Sequence, residues 1–236
     1  MTGVFLLNKV TILAFDLDDT LWPCMPVIQQ AEETLYAWLN QYYPRITANH
    51  NPEQMVDLRK QFTAQDKQYS VDLSMMRYEF LKKLAVDNQY DKNEVADKGF
   101  DVFYHARQQV SFYDDVLPAL ERLSLKYRLG AITNGNANVE KVGLGHLIEH
   151  TVSAIDLQIA KPDKRIYQSL ADRFEVPTEQ ILYIGDHPEY DVIGPQVAGL
   201  RAAWINREAR QWPQSLPPPK FQITNLYELE ALLDNC

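Results

Sequence analysis

A hydrophobic segment runs from residue 10 to residue 15 and ends directly before a group of carboxylates. Its residues are β-branched or apolar without regular alternation, which is typical of a strand buried on both faces of a parallel sheet. Asp16 and Asp18 therefore lie just past the carboxyl end of a predicted strand, where open α/β sheets bind their ligands. Two unit charges about 4 Å apart repel by about 4 kcal/mol at an effective dielectric constant of about 20, so we expect a shared cation or a protonated carboxyl group here.

Between residues 22 and 112 the apolar positions recur at helical spacing in four stretches. They are carried by Val27, Ala31, Leu35, Trp38, Leu39 and Tyr42; by Met55, Leu58, Phe62 and Tyr69; by Leu73, Met76, Phe80 and Leu84; and by Gly99, Val102, Phe103, Ala106 and Val110. This pattern predicts an all-helical domain over residues 22–112 that buries its stripes against one another.

From residue 113 onwards the pattern alternates between helical stripes and short apolar runs, which indicates a parallel sheet with crossover helices. Strands are predicted at residues 127–132, 151–155, 181–184 and 201–205, and helices around Leu120, around Leu170 and over residues 226–233. The chain is therefore predicted to adopt an α/β fold. Its Rossmann-like parallel-sheet core, flanked by helices, comprises residues 1–21 and 113–236, and the helical domain is inserted after the first strand.

Polar side chains follow several predicted strands and one loop. They are Asp16, Asp18, Thr133, Lys161, Asp186 and Asp191. Because the carboxyl ends of parallel strands meet at one edge of a sheet, we expect these groups to converge on one crevice. Oxygen ligands without a histidine or cysteine cluster suit Mg²⁺, and a carboxylate can also be a nucleophile that forms an aspartyl-phosphate. The lysine and the metal would then neutralise charge on the transferring phosphoryl group.

Composition narrows the class of protein. The 236 residues carry a formal net charge of −9, without the basic stripe that nucleic-acid binding requires. Two cysteines, Cys24 and Cys236, do not make a disulfide framework. Residues 4–7 lack the length and basic leader of a signal peptide, and no segment has the length of a membrane span. We therefore expect a cytoplasmic enzyme that binds neither nucleic acid nor membrane, and no pattern specifies its oligomeric state.

Four short motifs resemble those of the haloacid dehalogenase-like (HAD) superfamily of phosphotransferases, in the same order. They are DLDDTL (16–21), ITNG (132–135), KPD (161–163) and GD (185–186), the last followed by Asp191. The helical insert resembles the C1 cap of the subgroup that contains many small-molecule phosphatases. Residues 131–137 are also similar to bacterial flavin mononucleotide phosphatases of that subgroup.

The resemblance implies a role for each converging group. Asp16 would attack phosphorus in line and become the aspartyl-phosphate. Asp18 would protonate the leaving alcohol and then take a proton from the water that hydrolyses the intermediate. The phosphoryl oxygens would be held by Thr133 and Lys161, with further contacts from Asn134 and Gly135.

The same resemblance implies a Mg²⁺ cofactor. The side chains of Asp16 and Asp186 and the main-chain carbonyl of Asp18 would bind the ion. Asp191 would support it directly, through water, or by way of Lys161. A turn at residues 133–135 and N-terminal helix capping by Asp191 are the structural alternatives for these residues.

The implied activity is Mg²⁺-dependent hydrolysis of a small phosphomonoester. Flavin mononucleotide, sugar phosphates and nucleoside monophosphates are all open as substrates. One alternative is a 2-haloacid dehalogenase, which also uses an aspartate nucleophile but needs neither Asp18 nor a metal. Another is a non-catalytic protein that binds a phosphorylated ligand and keeps the fold. The presence of both Asp18 and Asp186 counts against these alternatives.

Other local patterns give predictions of their own. Pro195 removes a helical hydrogen bond after Asp191, which predicts a kink, and residues 155–160 lack the glycine that the family leads us to expect before Lys161. The HLIEH sequence at residues 146–150 has the spacing of some zinc peptidases, but glycines precede it and a predicted strand follows, so a short surface helix is expected.

Two aromatic side chains, Trp22 and Tyr113, lie near the ends of the predicted helical insert. Either could stack on a flat substrate, and the alternative for each is packing within the protein.

Overall fold

The structure, a computed structural model, describes residues 7–66, 69 and 71–235. It divides into two compact units. The sheet unit is formed by Met1–Pro23 and Ser111–Cys236, and the helical unit by Cys24–Val110. The sequence placed the ends of the helical insert at residues 22 and 112. Residues 4–6 and Cys236, considered above, lie outside the described residues.

The helical unit contains five α-helices in its described part. They are α1 (Cys24–Tyr42), α2 (Pro44–Thr47), α3 (Pro52–Thr63), α4 (Leu73–Asp87) and α5 (Lys92–Arg107). Three of them begin at a side chain that accepts a hydrogen bond from a backbone N–H of the first turn, namely Asn51, Asp72 and Asp91. Such caps satisfy donors that a helix otherwise leaves unpaired. The apolar stripes of the helices meet in one buried core.

The sheet unit is built on six parallel strands in the order β3-β2-β1-β4-β5-β6. They are β1 (Ile12–Phe15), β2 (Arg128–Thr133), β3 (Ile148–Ser153), β4 (Ile181–Gly185), β5 (Arg201–Ile205) and β6 (Gln222–Ile223). Every residue of β1 and β4 is buried, as expected for central strands covered on both faces. The predicted α/β fold with a Rossmann-like parallel sheet is confirmed.

Helices flank this sheet. They are α6 (Val116–Ser124), α7 (Ala154–Leu157), α8 (Lys164–Phe174), α9 (Gly194–Val197) and α10 (Leu226–Asp234), with a π-helical segment at Pro188–Ile193. Within the described part of the chain, no helix combines the length and apolar character that crossing a membrane requires.

The prediction of a surface helix at residues 146–150 is wrong. Strand β3 begins at Ile148, so Glu149 and His150 lie in extended backbone. Glu149 forms an ion pair with Arg128 of the neighbouring strand β2, which favours strand pairing over a helical turn. The zinc-peptidase motif requires a helix, so this spacing does not form such a site.

Short elements and one helix end also differ from the prediction. Helix α3 ends at Thr63, so Tyr69 does not continue its apolar stripe. Its ring instead stacks on Phe62, with 5.0 Å between the centroids. Helices α2 and α7 and strand β6 were not predicted, because elements of four residues or fewer show no measurable periodicity.

The helical backbone that follows β4 continues without interruption through Pro195, where a kink was predicted. The π-helical segment Pro188–Ile193 passes directly into α9. In π geometry the N–H of residue 195 would bond to the carbonyl of Tyr190, but proline has no N–H. The hydroxyl of Tyr167 donates to that carbonyl instead. A side chain therefore replaces the missing main-chain donor.

Candidate active site

The carboxyl ends of β1, β2 and β4 lie side by side at one edge of the sheet. Asp16 directly follows β1, Thr133 is the last residue of β2 and Asp186 directly follows β4. One carboxylate oxygen from each of Asp16, Asp186 and Asp191 lies within 4.8 Å of the others, and all three residues are buried. Neighbouring strands thus bring together acidic groups that are far apart in the sequence.

The ammonium group of Lys161 lies among these carboxylates. Its Nζ atom is 2.7 Å from Asp16 Oδ1, 2.8 Å from Asp191 Oδ1 and 3.1 Å from the hydroxyl oxygen of Tyr183. An ammonium group has three donors, and these contacts use all of them. Tyr183 in turn donates to the main-chain carbonyl of Ile132 at 3.0 Å. Lys161 is therefore held in one position by the strands around it.

Asp191 is fully buried and is engaged through both carboxylate oxygens. Besides the contact of Oδ1 with Lys161, its Oδ2 accepts a hydrogen bond from the backbone N–H of His187 at 2.9 Å. The carboxylate approaches Gly185 so closely that a Cβ atom there would lie 2.4 Å from Asp191 Cγ. A glycine at the end of β4 is thus required for Asp191 to enter the site.

Asp186 is held by two partners from β5 and the loop after it. Arg210 donates to Asp186 Oδ2 at 2.6 Å, and the Trp204 indole donates to the main-chain carbonyl of Asp186 at 2.7 Å. The Arg210 backbone is fixed by Asn206, whose side chain bonds to both its N–H and its carbonyl. The loop therefore presents a guanidinium group to one of the clustered carboxylates.

The loop that carries Lys161 is anchored by Asn134. The amide of Asn134 accepts a hydrogen bond from the Lys161 N–H at 2.8 Å and donates to the Lys161 carbonyl at 3.2 Å. Thr133 Oγ1 accepts a hydrogen bond from the Gly135 N–H at 2.9 Å. Gln158 adopts a left-handed conformation with φ of 54°, a backbone that glycine favours. The loop therefore turns without the glycine that the resemblance to the family led us to expect before Lys161.

Asp18 lies near the start of the loop that follows β1 and is partly exposed. The indole of Trp22 donates to Asp18 Oδ1 at 2.9 Å. Trp22 itself is fully buried and packs edge-on against Phe112, with 5.7 Å between ring centroids. Its ring therefore takes part in internal packing and is not a stacking surface for substrate. Tyr113 is half-buried, and the guanidinium carbon of Arg207 lies 4.1 Å from the centroid of its ring.

The electrostatics of the cluster are dominated by burial. Burial raises the pKa of Asp16 well above its usual range; Lys161 opposes the shift, and Asp191 and Asp186 add to it. Burial likewise raises the pKa of Asp186, although Arg210 opposes it. Burial disfavours charge on Lys161, but the adjacent carboxylates outweigh this effect and raise its pKa. The site thus contains more negative charge than its two cationic side chains offset.

This donor set fits a hard divalent cation. The clustered side chains are all carboxylates, the ligand type that Mg²⁺ prefers. Burial, and to a lesser extent the neighbouring carboxylates, raises the pKa of Asp16 and Asp186, and a bound cation would favour the charged form of both. Since both oxygens of Asp191 already accept hydrogen bonds, Asp16 and Asp186 are the side chains best placed to bind it.

Sequence reasoning missed two residues of this site. Tyr183 lies within an apolar strand run that gives no hint of a polar role, and only its place opposite Lys161 reveals one. Arg210 lies in the loop after β5, outside every motif considered. The sequence also placed Asn134 and Gly135 at the phosphoryl group, whereas the structure shows Asn134 bonded to the Lys161 backbone.

A parallel sheet with acidic groups at the ends of neighbouring strands defines a class of α/β enzymes whose ligands bind at that edge. The model of the haloacid dehalogenase-like hydrolase family matches residues 10–199. The chain belongs to this family and is a hydrolase, which confirms the resemblance drawn from the four motifs.

Proteins similar to this chain include phosphatases and 2-haloacid dehalogenases. The chain is 29% identical over 234 residues to 5-amino-6-(5-phospho-D-ribitylamino)uracil phosphatase YigB of Escherichia coli (strain K12), covering 96% of this chain and 98% of that protein. It is 32% identical over 134 residues to (S)-2-haloacid dehalogenase 4A of Burkholderia cepacia, covering 54% of this chain and 58% of that one.

Solved structures similar to this chain include a 2-haloacid dehalogenase. The crystal structure of a 2-haloacid dehalogenase from Pseudomonas syringae pv. Tomato DC3000 matches with a TM-score of 0.87 and 35% identity, covering 95% of this chain and 98% of that one. Both phosphatases and dehalogenases are therefore similar to this chain over most or part of its length.

Proposed function

We propose that the protein is a Mg²⁺-dependent phosphatase that hydrolyses a small phosphomonoester through an aspartyl-phosphate on Asp16. The observation that carries the proposal is the buried cluster of Asp16, Asp186 and Asp191 around Lys161. A site with this excess of negative charge suits a cation and a phosphoryl group together.

The reaction proceeds in two displacements at phosphorus. A carboxylate oxygen of Asp16 forms a bond to phosphorus as the bond to the ester oxygen breaks, and Asp18 gives its proton to the departing alkoxide. Water then attacks the phosphorus of the aspartyl-phosphate and gives a proton to Asp18. Inorganic phosphate leaves, and the Asp16 carboxylate and the protonated Asp18 are restored.

Lys161 and Thr133 hold the phosphoryl oxygens during both steps. Because the three Lys161 donors are engaged, its donor to Asp16 Oδ1 is the one that turns to the phosphoryl group when the substrate binds. Asp191 and Tyr183 keep the ammonium in place through this exchange. Asn134 acts indirectly by fixing the Lys161 loop, and Gly135 closes the turn at Thr133.

Mg²⁺ would be held by the side chains of Asp16 and Asp186 and by the main-chain carbonyl of Asp18. Asp191 supports this arrangement through Lys161 and His187, whose hydrogen bonds occupy both of its oxygens. When bound, the ion supplies neutralisation of the negative charge on the transferring phosphoryl group.

The helical unit, Cys24–Val110, serves in this proposal as the cap that selects the leaving group. YigB acts on a 5-phosphoribitylamino compound by its name, and flavin mononucleotide carries a phosphoribityl chain of the same kind. We therefore place phosphorylated ribityl compounds first among candidate substrates, with sugar phosphates and nucleoside monophosphates next.

The second candidate function is 2-haloacid dehalogenation, which the Burkholderia and Pseudomonas relatives favour. In that reaction a carboxylate displaces halide from carbon and water hydrolyses the resulting ester. Neither a proton donor at Asp18 nor a cation at Asp186 is needed there, so two well-ordered groups of this site would have no role.

The test is release of inorganic phosphate from a panel of phosphomonoesters, with and without Mg²⁺, beside release of halide from 2-chloropropionate. Asp16→Asn should abolish phosphate release. Asp19→Asn removes the same charge three positions away and is tolerated by the left-handed backbone of residue 19, whose φ is 59°; it should retain activity. Halide release that needs no metal would support the dehalogenase, and release of neither product by folded protein would favour a binding protein.

A further inference from the structure

The loop after β1 is closed on itself by bonds that join Asp18 to Trp22. The Trp22 indole N–H donates to Asp18 Oδ1 at 2.9 Å. The backbone N–H of Asp19 donates to the Trp22 carbonyl at 2.7 Å, and the N–H of Leu21 donates to the Leu17 carbonyl at 2.8 Å. The backbone hydrogen bonds of the loop therefore bring Asp18 and Trp22 close together, and the hydrogen bond between their side chains adds to them.

The indole ring is anchored from its other side. Trp22 is 0% exposed, and its ring meets the edge of Phe112. The backbone N–H of Tyr113 donates to the Leu21 carbonyl at 3.1 Å, which fixes the segment that carries Phe112 against the loop. A ring enclosed in this way cannot turn its N–H away from Asp18 without repacking.

We propose that Trp22 is a positioning residue for proton transfer by Asp18, an inference that rests on the proposed function. An indole N–H donates a hydrogen bond and cannot accept one. It therefore holds Oδ1 as an acceptor and fixes the orientation of the carboxyl group. The leaving oxygen then meets a carboxyl group that is already oriented for proton transfer.

The role predicts a dependence on the leaving group. Departure of an alkoxide needs a proton, whereas 4-nitrophenolate leaves readily without one. A variant with a poorly oriented Asp18 should therefore be impaired more on an alkyl phosphate than on 4-nitrophenyl phosphate. The constant kcat/KM is the suitable measure, because it includes the departure of the alcohol and excludes the later hydrolysis of the aspartyl-phosphate.

The experiment compares Trp22→Phe with the wild type on glycerol phosphate and on 4-nitrophenyl phosphate in the presence of Mg²⁺. Loss of the hydrogen bond that orients Asp18 predicts a fall of about tenfold in kcat/KM for glycerol phosphate, and a much smaller fall for the aryl ester. In an Asp18→Asn background the same substitution should change the ratio of the two rates no further, because Trp22 acts through Asp18.

Phe112→Leu is the matched control, since it disturbs packing at the indole but leaves the N–H in place. It should affect both esters alike. If Trp22→Phe does not fold, replacement of the indole by benzothiophene, which exchanges N–H for sulfur in a ring of the same shape, gives the same test.

Failure of the role of Trp22 and failure of the proposed function give different results. Equal losses on both esters, no loss on either, or the same leaving-group dependence in Phe112→Leu would each overturn the role of Trp22. No phosphate release by the wild type from either ester would instead overturn the proposed function on which this role rests.

Discussion

The hydroxyl of Tyr183 accepts a hydrogen bond from Lys161 at 3.1 Å and donates to the carbonyl of Ile132 at 3.0 Å. It thus joins the ammonium group of the site to the backbone of β2. Because Lys161 has a third donor that neither Asp16 nor Asp191 receives, the phenol completes its coordination.

Tyr183→Phe should therefore lower activity and stability together. We expect kcat/KM for a phosphomonoester to fall about fivefold and the free energy of unfolding to fall by about 1–2 kcal/mol, because a buried carbonyl and an ammonium donor each lose a partner. Steady-state kinetics and urea denaturation measure the two effects.

Tyr167→Phe is the matched control for this prediction. The Tyr167 ring packs against that of Tyr183, with 5.8 Å between centroids, but its hydroxyl bonds to the Tyr190 carbonyl and not to Lys161. It should lose stability with kcat/KM largely unchanged. If both variants lost activity in proportion to stability, Tyr183 would have a structural role only.

Gly194→Ala tests how the helix accommodates Pro195. A Cβ atom at residue 194 would lie 2.4 Å from the Tyr167 hydroxyl oxygen, so the hydroxyl would be pushed away from the Tyr190 carbonyl. We expect a loss of about 2 kcal/mol in the free energy of unfolding. In a Tyr167→Phe background the same substitution should cost less, and an equal cost there would show that another contact is responsible.

The convergence of the site could be predicted because it follows from strand order. Asp16, Thr133 and Asp186 each stand at the end of a strand, and the ends of parallel strands share one edge of a sheet. Neither Tyr183 nor Arg210 could be found this way. Each acts through a contact between distant segments, and the residues around it show no polar pattern of their own.

The errors in the fold have a similar origin. Residues 146–150 contain helix formers, and the parallel pairing of β3 with β2, which includes the Glu149–Arg128 ion pair, holds residues 148–150 in the extended form. The behaviour of Pro195 depends on Tyr167, which lies on a different helix. At these positions tertiary contacts outweigh the local conformational preference of the sequence.

Arg210→Gln should strengthen Mg²⁺ binding. The guanidinium lies 2.6 Å from Asp186 Oδ2 and places a positive charge beside the proposed metal site. Its removal should lower the dissociation constant for Mg²⁺ about fivefold, since it relieves repulsion between two cations near the surface. Isothermal titration of the protein with Mg²⁺, without substrate, measures the change.

Arg122→Gln is the control for the change in net charge, because Arg122 pairs with Glu230 at 2.7 Å and not with the clustered carboxylates. It should leave the Mg²⁺ affinity unchanged. Weaker Mg²⁺ binding in Arg210→Gln would show the opposite role, in which Arg210 orients Asp186 for the ion.

Asp115 is expected to make the free energy of unfolding depend on pH in the acidic range. Burial alone would raise its pKa, but the hydrogen bonds from Arg207 and from the Leu226 N–H outweigh burial and lower it. Arg207 Nη1 lies 2.9 Å from Asp115 Oδ1, and the backbone nitrogen of Leu226 lies 2.6 Å from Oδ2. The carboxylate thus joins the start of α6 to the start of α10 and to the loop after β5.

The pKa of Asp115 is lower in the folded protein than the value of about 3.9 in the unfolded chain. The Asp115 carboxylate therefore stabilises the protein above about pH 3.9, and this stabilisation is lost as the pH falls through the folded-state pKa. Asp115→Asn should therefore cost about 3 kcal/mol at pH 7, where it leaves the buried Arg207 guanidinium without its counter-charge. The difference in the free energy of unfolding between wild type and variant should narrow below about pH 4.

Urea denaturation at a series of pH values measures this difference. The control is Asp234→Asn, which alters a carboxylate in a solvent-exposed ion pair and should change the free energy of unfolding little at any pH. A difference that stayed constant down to pH values well below 3.9 would show that packing and not charge accounts for the loss, because only a protonation-linked contribution disappears in acid.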